Sequence, residues 1–244
     1  MCNIPKQRTG KTLVTYNSIY DTACLRKGSA KQVEALLDRP RTKRQLKSIP
    51  DSVYLAELSK KVFQSGFVWR VVENKWHNFE ELFWDFDIDK LMMMPDDMLE
   101  RKAQDKKIIR NHKKIWAIRE NAFFIDSVRN HYNTSFAEFI ADWPSDDITG
   151  LWLYLKKGGT RLGGNIGPYA LRSLGKDTFL LSRDVEGFLR EHKIIETGIN
   201  TKSALNNTQR FFNDLQQESG RSLMELSRLL CYCYGDNYVG VPSE

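Results

Sequence analysis

The sequence predicts an all-α fold, and three features of its 244 residues carry that reading. From Ser29 onward nearly every patterned stretch repeats its apolar residues at three- and four-residue steps, the spacing of one helix face, and strict alternation is scarce. Pro, Gly, Asn and Asp fall between those stretches, where helices start and stop. An apolar content of 41% and an aromatic content of 11% are enough for a packed core and argue against general disorder.

In chain order, Ser29 to Leu37 gives a short helix, followed by a surface linker through "DRPRTKR". "PDSVYLAELSKKVFQSG" gives the next helix, opened by Pro50 and Asp51 and ended near Gly66. "FVWRVVENKW", "NFEELFWDF", "DIDKLMMM" and "PDDMLERKA" read as short amphipathic pieces parted at Asn78, Asp87 and Pro95. The longest helix runs from Asn111 to Tyr132, with Ile115, Ile118, Ala122, Ile125 and Val128 along one face, and Asn111 is its expected N-cap. "SFAEFIADWP" and "DDITGLWLYLKKGG" follow, then "GPYALRSLG" with Pro168 in its first turn. "SRDVEGFLREHKII", "TKSALNNTQRFFNDLQQES" and "SLMELSRLLCYCYG" complete the bundle.

Composition excludes several classes. No apolar run reaches the roughly 18 to 20 residues of a membrane span, and the first residues lack the apolar core of a secretory signal, so a cytoplasmic protein is expected. Cys2, Cys24, Cys231 and Cys233 have neither zinc-ligand spacing nor the density of a disulfide framework. The net charge of +6 comes from the first fifty residues, which hold eleven Lys and Arg against three acids. Residues 1–50 are therefore a basic N-terminal segment with one short helix, able to attract phosphate or to stand as solvated surface. Residues 51–244 form the helical domain.

Five of the fifteen glycines lie between Gly158 and Gly167. Two helices joined by such a turn present backbone N–H groups and a helix N-terminus to an anion, with no Cβ in the way. A phosphate cradle would be built from Gly163, Gly164 and Gly167, with Lys157 and Arg161 supplying charge and Thr160 and Asn165 neutral donors. A plain helix connector is the other reading of the same residues.

"LGGNIGPYALRSLGKDTFLLSRDV" resembles the helix-hairpin-helix of the DNA glycosylase superfamily, near residues 151–175, and the acidic loop after it, although this turn has an extra residue and no proline. Upstream, "FQSGFVWRVVENKWHNFEELFWDFDIDKL" and "DKKIIRNHKKIWAIRENAFFI" resemble the 3-methyladenine DNA glycosylase I family in their G-x-x-W and I-I-R-N-x-x-K-I stretches. The resemblance spans about Val53 to Asp236. It implies a two-lobed helical fold with a cleft between the lobes, and a monomeric repair enzyme acting on double-stranded DNA. A damaged base, expected to be an alkylated purine, is turned out of the duplex into a pocket and its N-glycosidic bond is hydrolysed. The alternative is a DNA-binding protein that keeps the hairpin and recognises damage without catalysis.

By this resemblance Trp69 matches the tryptophan that stacks on the base, its other reading being core packing. Tyr54, Tyr16 and Tyr20 offer a further stacking surface, with surface or core tyrosines as the other reading of the same residues. Lys61 stands where the family carries a base-contacting glutamate. A lysine cannot accept a hydrogen bond, so Lys61 contacts phosphate, acts as an amine nucleophile in a lyase step, or is a solvated helix lysine. Glu57, one turn earlier, pairs with it or supplies the missing carboxylate. Asp184 is the candidate transition-state carboxylate, although a strict count from the hairpin puts Ser182 there and leaves Asp184 in a first helical turn. No zinc ligands matching the family's site are found, and no metal or other cofactor is expected.

Overall fold

A computed structural model describes residues 14–236, and Cys2 lies outside them. Among the described residues the regular structure is helical, with no strand. Its α-helices are α1 (Tyr16–Lys27), α2 (Ala30–Ala35), α3 (Lys43–Lys47), α4 (Asp51–Gln64), α5 (Trp69–Leu82), α6 (Ile88–Met92) and α7 (Asp96–Ala103). They continue as α8 (His112–Tyr132), α9 (Phe136–Asp142), α10 (Ile148–Gly158), α11 (Ile166–Leu174), α12 (Arg183–Glu191), α13 (Lys202–Ser219) and α14 (Leu223–Cys233). No described helix is long and apolar enough to cross a membrane.

The helices group into two lobes. In one, α4, α6, α7 and α9 pack around α8, and α5 lies on α4. In the other, α10 packs on α11 and α13, and α14 is covered by α1, α12 and α13. The lobes meet where α4 lies on α11, across one continuous core containing Leu58, Ile118, Leu155, Leu171 and Leu226. Each buried leucine contributes about 1.5 to 3 kcal/mol of apolar transfer free energy, which holds the lobes together.

Local chemistry explains most boundaries. The Asn111 side chain accepts from Lys114 N and opens α8 as expected; Asp87 caps α6 in the same way, accepting from Lys90 N. Ser135 and Glu138 form a capping box at α9. Asn78 does not interrupt the chain: α5 runs through it as a single helix, and its amide reaches out to donate to Lys107 O.

Two helices of the first fifty residues have no counterpart in the sequence reading. In α1 only Ile19, Ala23 and Lys27 are buried, a narrow stripe set in polar residues, so periodicity is faint. The linker region contains α3, five residues long, held by the Thr42 and Gln45 capping box. The boundary at residue 50 falls in the loop before α4, yet Ile19, Ala23 and Val33 belong to the common core and Leu46 is also buried. The described part of the basic segment is thus packed into the body, with α1 on α14 and α3 on α9.

Candidate base-binding pocket and hairpin

A cavity of about 360 Å³ opens between the lobes, within the roughly 300 to 1,000 Å³ usual for small-ligand sites. Lys61, Gln64, Ser65 and Trp69 form one wall, from the end of α4 through the first residue of α5. Gly163, Gly164 and Asn165 of the hairpin turn form the other, with Ile166 and Tyr169 of α11. The hairpin is thereby part of the pocket as well as a connector between α10 and α11.

Trp69 is 53% exposed, too open for a core residue, and its ring meets the edge of Tyr169 at 6.1 Å between centroids, 85° apart. Lys61 Nζ lies 5.4 Å from the centre of the Trp69 ring. Its side chain is only 11% exposed and is held by Glu57 Oε1 at 3.1 Å and Gln64 Oε1 at 3.0 Å. Gln64 is oriented in turn by donating to Glu73 Oε1 at 2.7 Å, and Lys60 pairs with the other Glu73 oxygen. The sequence pairing of Glu57 with Lys61 is present, and Lys61 is no solvated helix lysine.

The hairpin is fixed from α8. Asn121 is fully buried; its Oδ1 accepts from Thr160 N at 2.8 Å and its Nδ2 donates to Thr160 O at 3.1 Å. Leu162 is buried and anchors the turn, while Lys157, Arg161, Gly164 and Asn165 are exposed. The N–H groups of Gly163, Gly164 and Asn165 find no acceptor among the described residues. Gly164 has φ +63° and open space around it, a left-handed backbone that disfavours side chains. Gly167 is different: it is buried, and a Cβ there would stand 3.3 Å from Leu162 O, so it serves close packing behind the turn.

Lys114 fixes the opposite wall. It is buried on α8, donates to Phe63 O and Ser65 O at the end of α4, and lies 4.6 Å from the centre of the Phe67 ring. Burial, and then the Arg161 charge of the hairpin, lower its pKa from the ordinary lysine value.

Other candidates lie elsewhere. Tyr54 is fully buried, its ring set edge-on against Phe136 and its hydroxyl donating to Leu46 O at 3.2 Å, so it cannot stack on a base. The second aromatic wall is Tyr169, whose signal in the sequence is only its place in the first turn after the glycine run. Asp184 does not line the pocket; its carboxylate faces the Gly235 turn, where a Cβ would lie 3.3 Å from Oδ1. Ser182 is the α12 N-cap, accepting from Val185 N and touching Cys231 Sγ at 3.3 Å. Asn165 Nδ2 donates to Leu181 O, which joins the hairpin to the start of α12. Among the described residues no group of three or more His, Cys, Asp and Glu side chains is placed to hold a metal ion.

Residues 48–152, from the loop before α4 to the middle of α10, match the methyladenine glycosylase family. That stretch of the chain is similar to the family. Among solved structures it is similar to 3-methyladenine DNA glycosylase I from Staphylococcus aureus at 17% identity and TM-score 0.46, over 65% of this chain and 91% of that one. A Methanocaldococcus jannaschii 8-oxoguanine glycosylase/lyase, solved with DNA containing 8-oxoguanine, aligns at 15% identity and TM-score 0.49, over 88% and 96%. No curated protein matches the sequence. The family match includes Lys61, Trp69, Lys114 and Asn121 but stops short of the hairpin turn, whose place in the pocket is read from the structure.

Proposed function

We propose that this protein is a DNA repair glycosylase that receives a damaged base in the pocket between Trp69, Tyr169 and the hairpin and hydrolyses its N-glycosidic bond. The observation that carries the reading is the joining of two functions in one cavity. An exposed tryptophan and a partly buried ammonium face a glycine turn whose free N–H groups suit a phosphate. A base held in the pocket has its sugar and phosphates at the mouth, beside Gly164, Arg161 and Lys157, while Trp69 supplies the stacking face. The match of residues 48–152 to methyladenine glycosylases supports the same chemistry. Residues 51–244 would act as one catalytic unit, working as a monomer on double-stranded DNA, with α1 packed on its second lobe and α3 on its first.

The test is turnover on duplexes each carrying one defined lesion, with free base detected by chromatography and abasic sites by alkaline cleavage. Release of at least one damaged base is expected, with Trp69→Ala lowering it about tenfold at subsaturating DNA. Binding to every duplex with release from none would instead mark a non-catalytic damage reader. Borohydride trapping of a covalent protein–DNA adduct, lost in Lys61→Gln, would add a lyase step by the Lys61 amine.

A further inference from the structure

Resting on the glycosylase reading above, we infer that the pocket selects an uncharged damaged base whose edge carries hydrogen-bond acceptors, a carbonyl-bearing lesion. Lys61 is the residue that donates to that edge and to the departing base. This narrows the lesion away from the cationic N-alkylpurines that an alkylation enzyme would favour.

Charge supports the selection. Among the described residues that line the cavity, Lys61 alone carries a formal charge at neutral pH; the other wall residues are neutral. Its partner Glu57 is not among the lining residues, so the charge presented to the cavity is that of the ammonium. The ammonium also stands 5.4 Å from the Trp69 ring centre, the face on which a cationic base would otherwise gain cation–π attraction. A cationic base would bring like charge against a largely desolvated ammonium, whereas a neutral base keeps the stacking face and avoids the repulsion.

Hydrogen-bond capacity points the same way. An ammonium has three N–H donors and accepts none; Glu57 and Gln64 take two, leaving one for a ligand. Gln64 has its Oε1 on Lys61 and one Nε2–H on Glu73, and so holds Lys61 in place. Such a site satisfies a base edge that accepts, and leaves an edge that only donates unpaired.

The same donor suits the bond that breaks. In hydrolysis the C1′–N bond cleaves heterolytically and its electron pair stays on the base nitrogen. Water forms the new C1′–O bond, and the proton it loses balances the charge by ending on the base. A neutral base therefore leaves as an anion before that proton arrives, and an ammonium donating to its carbonyl stabilises the charge as it develops. A cationic base leaves as a neutral molecule and gains nothing from the donor.

Binding and turnover are measured separately. Duplexes carrying hypoxanthine, 8-oxoguanine or 7-methylguanine on a 2′-fluoroarabinose sugar resist cleavage and report affinity, and the ordinary deoxyribose duplexes report release. Hypoxanthine and 8-oxoguanine are expected to bind at least about tenfold more tightly than the cationic 7-methylguanine, a difference an opposed charge in a desolvated site readily supplies. Lys61→Gln should bring the ratio toward one. The double variant Glu57→Lys with Lys61→Glu keeps an ion pair, guarding against misfolding, and should favour 7-methylguanine. Equal or tighter binding of 7-methylguanine by the unaltered protein, or a ratio untouched by Lys61→Gln, overturns the inference. A lysine-dependent preference with no base released from any duplex leaves the selectivity standing and sinks the glycosylase reading instead.

Discussion

Lys114 and Asn121 stand seven residues apart on α8, two helical turns, and hold the two opposite walls of the pocket. Lys114 binds the carbonyls at the end of α4, and Asn121 clamps both backbone groups of Thr160 in the hairpin. The spacing between Trp69 and the glycine turn is thus set by one helix, which neither wall could do alone.

Asn121→Ala should therefore damage the site before it damages the fold. It leaves the Thr160 N–H and carbonyl without their buried partner, at a cost of about 1 to 3 kcal/mol. Urea unfolding should show that loss with helix content intact, and base release should fall about tenfold or more because the hairpin wall is no longer fixed. Asn121→Ala with full activity would show that the clamp does not set the pocket.

Trp69 and Asp184 give a contrasting pair. Removing a stacking ring costs about 1 to 3 kcal/mol per base, so Trp69→Ala should lower lesion affinity about tenfold, with little change in unfolding because the ring is already half exposed. Asp184→Asn should keep base release within about threefold and cost only the first-turn acid's share of helix stability, about 0.3 to 1 kcal/mol. A collapse of activity in Asp184→Asn would return that carboxylate to the reaction centre.

The hairpin should bind DNA by its backbone and its flanking charge. Lys157→Ala should make the fall of log affinity with log salt shallower by about 0.9, as expected when the protein neutralises one phosphate fewer. Gly164→Val forces a branched side chain into a left-handed backbone, at about 1 to 2 kcal/mol, and covers the free N–H groups. It should weaken undamaged and damaged duplexes alike; a gel-shift series in which only damaged DNA suffers would contradict a phosphate role.

Stability should rise with pH in mild alkali because of Lys176. Its ammonium is buried and donates to Ala141 O and Trp143 O, and burial lowers its pKa from 10.5 to about 8. Below about 8 the amine is charged in both folded and unfolded chains and the desolvation cost is fully present. Between 8 and 10.5 the unfolded chain holds the extra proton, so stability gains with pH. Lys176→Met should lack that component, seen as a Tm difference from the parent that shifts between pH 7 and pH 10.

Much of this arrangement is legible in the residues. The apolar steps from Ile115 to Val128 and the cap at Asn111 define α8, and the G-x-x-W stretch singles out Trp69. Tyr54 misleads because its sequence neighbours are as apolar or as polar as those of a pocket residue; only the packing of α4 on α9 shows that its ring meets Phe136. Tyr169 gives no comparable signal because its partner Trp69 lies a hundred positions earlier, and no local pattern encodes such a contact. Asn78 reads as a break because asparagine favours turns, but its neighbours Trp76 and Phe79 are buried and hold the helix through it.

The hundred-residue separation of Trp69 from Tyr169 has a meaning during synthesis. When α4 and α5 leave the ribosome the tryptophan has no aromatic neighbour from α11, and nothing yet closes the cavity. The first lobe can gather its local contacts early, while the pocket waits for a long-range pairing that costs loop-closure entropy. The Trp69–Tyr169 contact is then completed late, once α11 has been made, and a chain ending before α11 has only one wall of the cavity.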